Sequence, residues 1–155
     1  MNSNHSTLGF VLHDVARLLR RRFEQHARGS GLTRSQWQVL AYLERNEGIH
    51  QSGLAELLEI EPITLGRMVD KLQELSLVER RPHPTDRRIW LLWLTPKARP
   101  KLTKLKALGD LTRSEALADI SEKDREHLLK TLTTLKVNLT NAIASQPSLK
   151  RANNG

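Results

Sequence analysis

Apolar residues recur at three- and four-residue steps along most of the chain, and the steps break at two short β-rich runs near its middle. Leu8, Val11, Leu12, Val15, Leu18, Leu19 and Phe23 mark one face of an amphipathic helix over 8–28, which Gly29-Ser30-Gly31 ends. Thr33 and Gln36 stand at capping-box spacing and open a second helix. It carries Trp37, Leu40, Ala41 and Leu43 to about Glu44 and stops at Asn46-Glu47-Gly48. Gln51–Leu58 form a short third helix. Pro62–Leu75 form a fourth, with proline in the first turn, where its missing N–H costs nothing.

Leu77–Arg80 and Ile89–Leu94 are rich in β-formers and flank a loop of prolines and charges, which predicts a hairpin. Thr95-Pro96 restarts helix, with Leu102, Leu105 and Leu108 on one face, ending near Ala118. Ser121 and Asp124 cap a last helix striped by Leu128, Leu132, Leu135, Leu139 and Ala142. Residues 146–155 form a polar tail, expected to be disordered. The order is α-α-α-α-β-β-α-α: a mainly α chain with a small β-hairpin, read as a winged helix-turn-helix lobe at 33–95 between terminal helices at 8–30 and 96–145. A lobe this small cannot cover both long terminal stripes, so a second copy of the chain is the expected cover and a homodimer the expected assembly.

The chain has 155 residues, enough for one domain with a real core. Its formal charge of +8 is unevenly placed. Residues 62–101 hold nine Lys/Arg against four acids, and residues 17–34 hold six Arg against Glu24, each a net +5; residues 35–61 carry a net −4. Clustered positive charge favours a polyanionic partner. The absence of cysteine excludes disulfides, thiolate metal sites and thiol redox sensing. The polar start lacks a signal-peptide core, and no apolar run approaches the ~18 residues of a membrane span, which leads us to expect a cytoplasmic protein with no membrane partner.

Leu54-Ala55, Leu58 and Ile60, then Leu65, Met68, Val69 and Leu72, fit two helices crossing over a tight turn. The second would present Thr64, Arg67 and Lys71 outward, and a major groove admits one such helix. Arg87 and Arg88, at the hairpin tip, suit a narrow minor groove. Asp86, between them and the loop, stands too close to DNA phosphates to be a useful contact; its expected role is to pair with an Arg and shape the wing. Ser52, Pro62 and His83 complete the candidate DNA-binding set, His83 and the nearby His50 as phosphate contacts.

With these residues in place the chain resembles the MarR family of bacterial transcription regulators, and within it the SlyA-like branch. The resemblance is carried by Leu54-Ala55-Glu56, by Leu65 to Leu72, by Leu77-Val78-Glu79-Arg80, by Asp86-Arg87-Arg88 and by Leu94-Thr95-Pro96-Lys97-Ala98. Asp86, Arg88, Leu94 and Thr95 fill the family's wing signature at its spacing. The resemblance implies a homodimer whose terminal helices form the dimerisation domain, with two winged lobes on a pseudo-palindromic operator in double-stranded DNA. It puts Arg67 in the major groove and either Arg87 or Arg88 in the minor groove, repression being the commoner mode. Three residues depart from the pattern. Glu59 occupies the motif's turn, where the family often has Gly; Gly66 stands where it often has a hydroxyl; Trp90 replaces a Lys or small polar residue, and is expected to pack on the lobe's core rather than line a pocket.

Members of the family sense small aromatic carboxylates or phenolics between the dimer helices and the lobe. The candidate effector residues here are His13 and Arg17, one turn apart, with Trp37 to stack on a ring. Rival readings are a ligand-independent architectural regulator, or anti-silencer, acting on the nucleoid; an enzyme; and a metal sensor. No Ser-His-Asp grouping, phosphate loop or carboxylate pair supports an enzyme. None of the six histidines lies at i,i+3 or i,i+4 from another, so no metal and no cofactor is expected.

Overall fold

The computed structural model describes residues 7–146. Six helices and three strands follow one another among these residues: α1 (Leu8–His26), α2 (Arg34–Glu44), β1 (Ile49–His50), α3 (Gln51–Leu58), α4 (Pro62–Glu74), β2 (Val78–Pro82), β3 (Trp90–Leu94), α5 (Ala98–Ala116) and α6 (Glu122–Ala144). The expected tail lies, from residue 147 onward, outside the described residues. Both expected caps form. Thr33 Oγ1 accepts from the Gln36 N–H at 3.2 Å while Gln36 Oε1 accepts from the Thr33 N–H at 3.0 Å, and Ser121 Oγ accepts from the Asp124 N–H at 3.2 Å.

The hairpin is part of a three-stranded antiparallel sheet in the order β1-β3-β2. Strand β1 is two residues long and too short to show any period, which is why the sequence pattern misses it. Gly48 makes it possible: at φ +83 it turns its N–H onto the Leu92 carbonyl at 2.8 Å, and a Cβ there would lie 2.9 Å from the Trp93 ring. Leu92 and Leu94 point into the core with Val78, against Val39, Leu40 and Leu43 of α2, Leu54 and Ala55 of α3, and Leu65, Val69 and Leu72 of α4. Each fully buried leucine contributes about 1.5–3 kcal/mol.

Trp90 corrects an expectation. It stands in phase with Leu92 and Leu94, and alternation alone would bury it, yet it is 45% exposed. Its register partner is Pro82, the last residue of β2. It borders a shallow hollow with Gln51, Gln73 and Arg80.

The chain divides into two compact units, one through Ala116 and one from Leu117. The first contains α1, the lobe and α5 together. Ala98 and Leu102 belong to the same core as the winged elements, so α5 begins inside that core. Helix α1 packs along α5. There Glu115 accepts from Arg22 Nε at 2.6 Å and lies 3.0 Å from His26 Nε2. These bonds, Arg22 foremost, hold the Glu115 carboxyl down to about 2. The second unit contains α6, which has no buried residue along its 23 residues.

Candidate nucleic-acid interface

The lobe's reading helix is built by a turn that strains one residue. Helix α3 closes at Glu59, held at φ 53 and ψ 42, the left-handed region that costs a non-glycine residue about 1 kcal/mol or more. The Ile60 N–H then returns to the Ala55 carbonyl at 3.1 Å, and Pro62 opens α4. Leu65, Val69 and Leu72 bury one stripe of α4, which leaves Thr64, Arg67 and Lys71 exposed on the others. Lys71 reaches Glu74 at 3.4 Å, and no partner is recorded for Arg67 among the described residues. No side chain caps the N-terminus of α4 and no acid sits in its first turn. The first-turn N–H groups therefore have no side-chain partner, with the carboxylate of the N-cap residue Glu61 at the same helix end. Ser52 is exposed in the first turn of α3, and Pro62 is exposed at the start of α4.

Sequence pattern alone passed over Ile63. It lies off the buried stripe of α4 and is 68% exposed, beside Thr64. An apolar side chain in that place can pack on a thymine methyl. The available signal was an apolar residue out of phase with Leu65, Val69 and Leu72.

The four arginines of the hairpin have four different fates. Arg80 turns inward, with a side chain only 16% exposed. Arg81 lies over the Trp93 ring at 4.6 Å and pairs with Glu79. Arg88 is gripped by Asp86: Nε to Oδ1 at 3.0 Å, Nη2 to Oδ2 at 3.0 Å, and the Arg88 backbone N–H to Oδ1 at 3.0 Å. Those bonds hold the Asp86 carboxyl below its ordinary range, and the Arg88 side chain is still 90% exposed. Arg87 is exposed and has no recorded partner among the described residues.

His83 is half-buried, and its Nδ1 accepts from the Thr85 N–H at 3.2 Å and the Asp86 N–H at 3.3 Å. Its ring meets His50 edge-on at 5.6 Å between centroids. It organises the wing turn from within, so only its outer edge is left for a phosphate.

The candidate effector residues are not brought together within one chain. Trp37 stacks on Phe23, centroids 4.8 Å apart, and its Nε1 is buried without a partner among the described residues. It borders two hollows that share Arg34. The larger, of about 700 Å³, is also lined by Tyr42, Arg45, Lys106 and Arg113. His13 and Arg17 line neither. Both are exposed on α1, with Arg17 3.6 Å from Asp14. Among the described residues no three His, Asp or Glu side chains gather as metal ligands, and no helix is long and apolar enough to cross a membrane.

Comparison with known proteins bears on the family and the fold. The family model described as MarR family matches residues 30–89. The chain is similar to a transcriptional repressor, CouR, solved bound to a 23-mer DNA duplex: 30% identity over 88% of this chain and 96% of that one, TM-score 0.75. It is similar to a mutant of Escherichia coli MarR solved with operator DNA, at 25% identity over 83% and 92% of the two chains, TM-score 0.73. A probable transcriptional regulator from Pseudomonas aeruginosa is 29% identical over 83% and 96%, with a TM-score of 0.71. The chain belongs to the MarR family of transcription regulators.

Proposed function

We propose that this regulator is a homodimeric repressor of the SlyA-like branch that reads a pseudo-palindromic operator in the cytoplasm and releases it when a small aromatic acid or phenolic binds. One observation carries the DNA reading: α4 begins uncapped, with Thr64, Arg67 and Lys71 exposed, while the wing of the same unit holds Arg88 outward in the grip of Asp86. In this reading Arg67 recognises base edges in the major groove, where a bidentate contact discriminates by about 1–3 kcal/mol. Arg88 enters the minor groove, since its two-point hold on Asp86 restricts the guanidinium before DNA arrives. Arg87, Lys71, Ser52, Pro62 and the outer edge of His83 meet the backbone, and Ile63 reads a thymine methyl.

The dimer reading rests on apolar surface. Phe10, Val11, Val15 and Leu18 of α1 and Leu128, Leu129, Leu139 and Ile143 of α6 are exposed in the single chain. We assign residues 8–30 and 96–145 to the dimerisation helices, α5 lending its first turns to the lobe's core, and 33–95 to the DNA-binding lobe.

The effector reading rests on the Trp37 hollow. An indole, a buried unpartnered N–H and the guanidinium groups of Arg34 and Arg45 suit a carboxylate on an aromatic ring, while Lys106 and Arg113 are paired with Glu44 and Asp110 of the same hollow. The deciding experiment is a titration of operator binding with salicylate-like acids, following tryptophan fluorescence. Loss of affinity that Trp37→Phe abolishes supports the sensor, and comparing Arg17→Ala with Arg34→Ala shows which guanidinium holds the carboxylate. If no aromatic acid shifts operator affinity at millimolar concentration, the ligand-independent regulator is the better reading.

A further inference from the structure

We propose that Arg80 is a positioning residue of the DNA-reading surface: it touches no DNA, and it sets the angle at which α4 and the wing are presented together. The inference rests on the DNA-reading function proposed above. Arg80 stands opposite Leu92 in the sheet, so its side chain leaves β2 on the core face, toward the helices. Nε donates to Gln51 Oε1 at 2.9 Å, and Nη2 donates to the Gly66 carbonyl at 3.2 Å. Nη1 donates to Gln73 Oε1 at 2.8 Å and lies 2.6 Å from Asp70 Oδ1. One guanidinium thereby ties the first residue of α3, three successive turns of α4 and the wing strand.

The pinned positions on α4 flank the reading positions. Arg67 follows Gly66 and Lys71 follows Asp70, so holding one pair fixes the azimuth of the other. With side chains reaching about 6 Å from the helix axis, a rotation of about 20° moves a tip by about 2 Å. That is enough to break a base-edge hydrogen bond, which tolerates only a few tenths of an ångström. Gly66 has a place in the same joint: a Cβ there would stand 3.4 Å from Gln51 Nε2, so a larger side chain presses on the arm that Arg80 holds. Arginine is required because its donors diverge in a fixed plane; a lysine ammonium in the same place cannot reach four acceptors spread over α3 and α4 at once.

The test uses the full chain, a duplex selected from a random library by the wild-type protein, and a scrambled duplex of the same composition. Affinities for both are measured across a salt series, with circular dichroism to verify folding. Arg80→Lys is expected to lower the selected-to-scrambled affinity ratio about tenfold or more, the scale of one lost base contact. Affinity for the scrambled duplex and its salt slope should stay at the wild-type value. Asp70→Ala and Gln73→Ala, each removing one arm at an exposed partner, should lower the ratio less, and should add little in the Arg80→Lys background. An unchanged ratio in Arg80→Lys overturns the proposal. So does an equal loss on both duplexes with a salt slope reduced by about one per chain, which marks a phosphate contact. If Arg80→Lys does not fold, the two partner variants decide, and unchanged ratios in both overturn it. A wild-type chain that selects no duplex sinks the DNA-reading function itself, and the positioning role with it.

Discussion

The wing makes the sharpest prediction, because its two tip arginines differ in charge environment. Arg87 is unpartnered, so in contact with phosphate it releases counterion in full; Arg88 is already neutralised by Asp86. Each phosphate neutralised contributes about 0.9 to the slope of log affinity against log salt. A dimer presents two wings, so Arg87→Ala should flatten the slope by about 1.8. Between about 0.05 and 0.2 M salt, a fourfold rise, the affinity gap between wild type and Arg87→Ala should therefore shrink by about 12-fold. Arg88→Ala strips the pair to a bare carboxylate facing the backbone, and should flatten the slope by a similar amount. Asp86→Ala with Arg88→Ala removes a net-neutral pair, so its slope should return close to the wild-type value while operator preference stays low. Fluorescence anisotropy of a labelled operator over that salt range measures all three. An Arg87→Ala protein with wild-type slope and affinity would show that the wing does not approach the duplex, and a double variant no steeper than Arg88→Ala would refute the neutral-pair argument.

Three further outcomes follow from the structure. Glu59→Gly should stabilise the lobe by about 0.5–1 kcal/mol in urea unfolding, while Glu59→Ala should not, because only glycine relieves the left-handed turn; equal effects would mean that charge, not backbone, is what matters there. Glu115 has a folded value of about 2 against an ordinary 4.5, so its contribution is complete above about 4.5 and is lost as pH falls toward 2. Thermal melts should show the gap between wild type and Glu115→Gln closing over that window, and a constant gap would contradict the ion pair. Leu139→Glu with Ile143→Glu changes residues exposed in the single chain, so folding should persist while light scattering at tens of micromolar falls from dimer to monomer; a dimeric variant would clear this face of α6 of the interface.

Much of this fold was legible because each helix carries its own instructions. The stripe Leu65, Val69, Leu72 orients α4 by period alone, and the Thr33–Gln36 and Ser121–Asp124 caps are local bonds between neighbours. The outward place of Thr64, Arg67 and Lys71 follows from the same arithmetic. Tertiary structure decided what period cannot express. Strand β1 exists because β3 offers its edge where Gly48 can turn, and Trp90, in phase with the buried Leu92 and Leu94, is left exposed at the end of the strand pair. The arginines of the hairpin are equivalent in sequence, and only their surroundings separate them: Arg80 is drawn inward by acceptors on α3 and α4 distant along the chain, Arg81 by an indole and Arg88 by a carboxylate. His13 and Arg17 share a helix face, but Trp37 belongs to a hollow further along the chain's packing, lined by α2 and α5. Local sequence fixes which way a helix faces, because neighbours in space are then neighbours in sequence; which long polar side chains meet depends on distant segments, and that only the folded chain brings together.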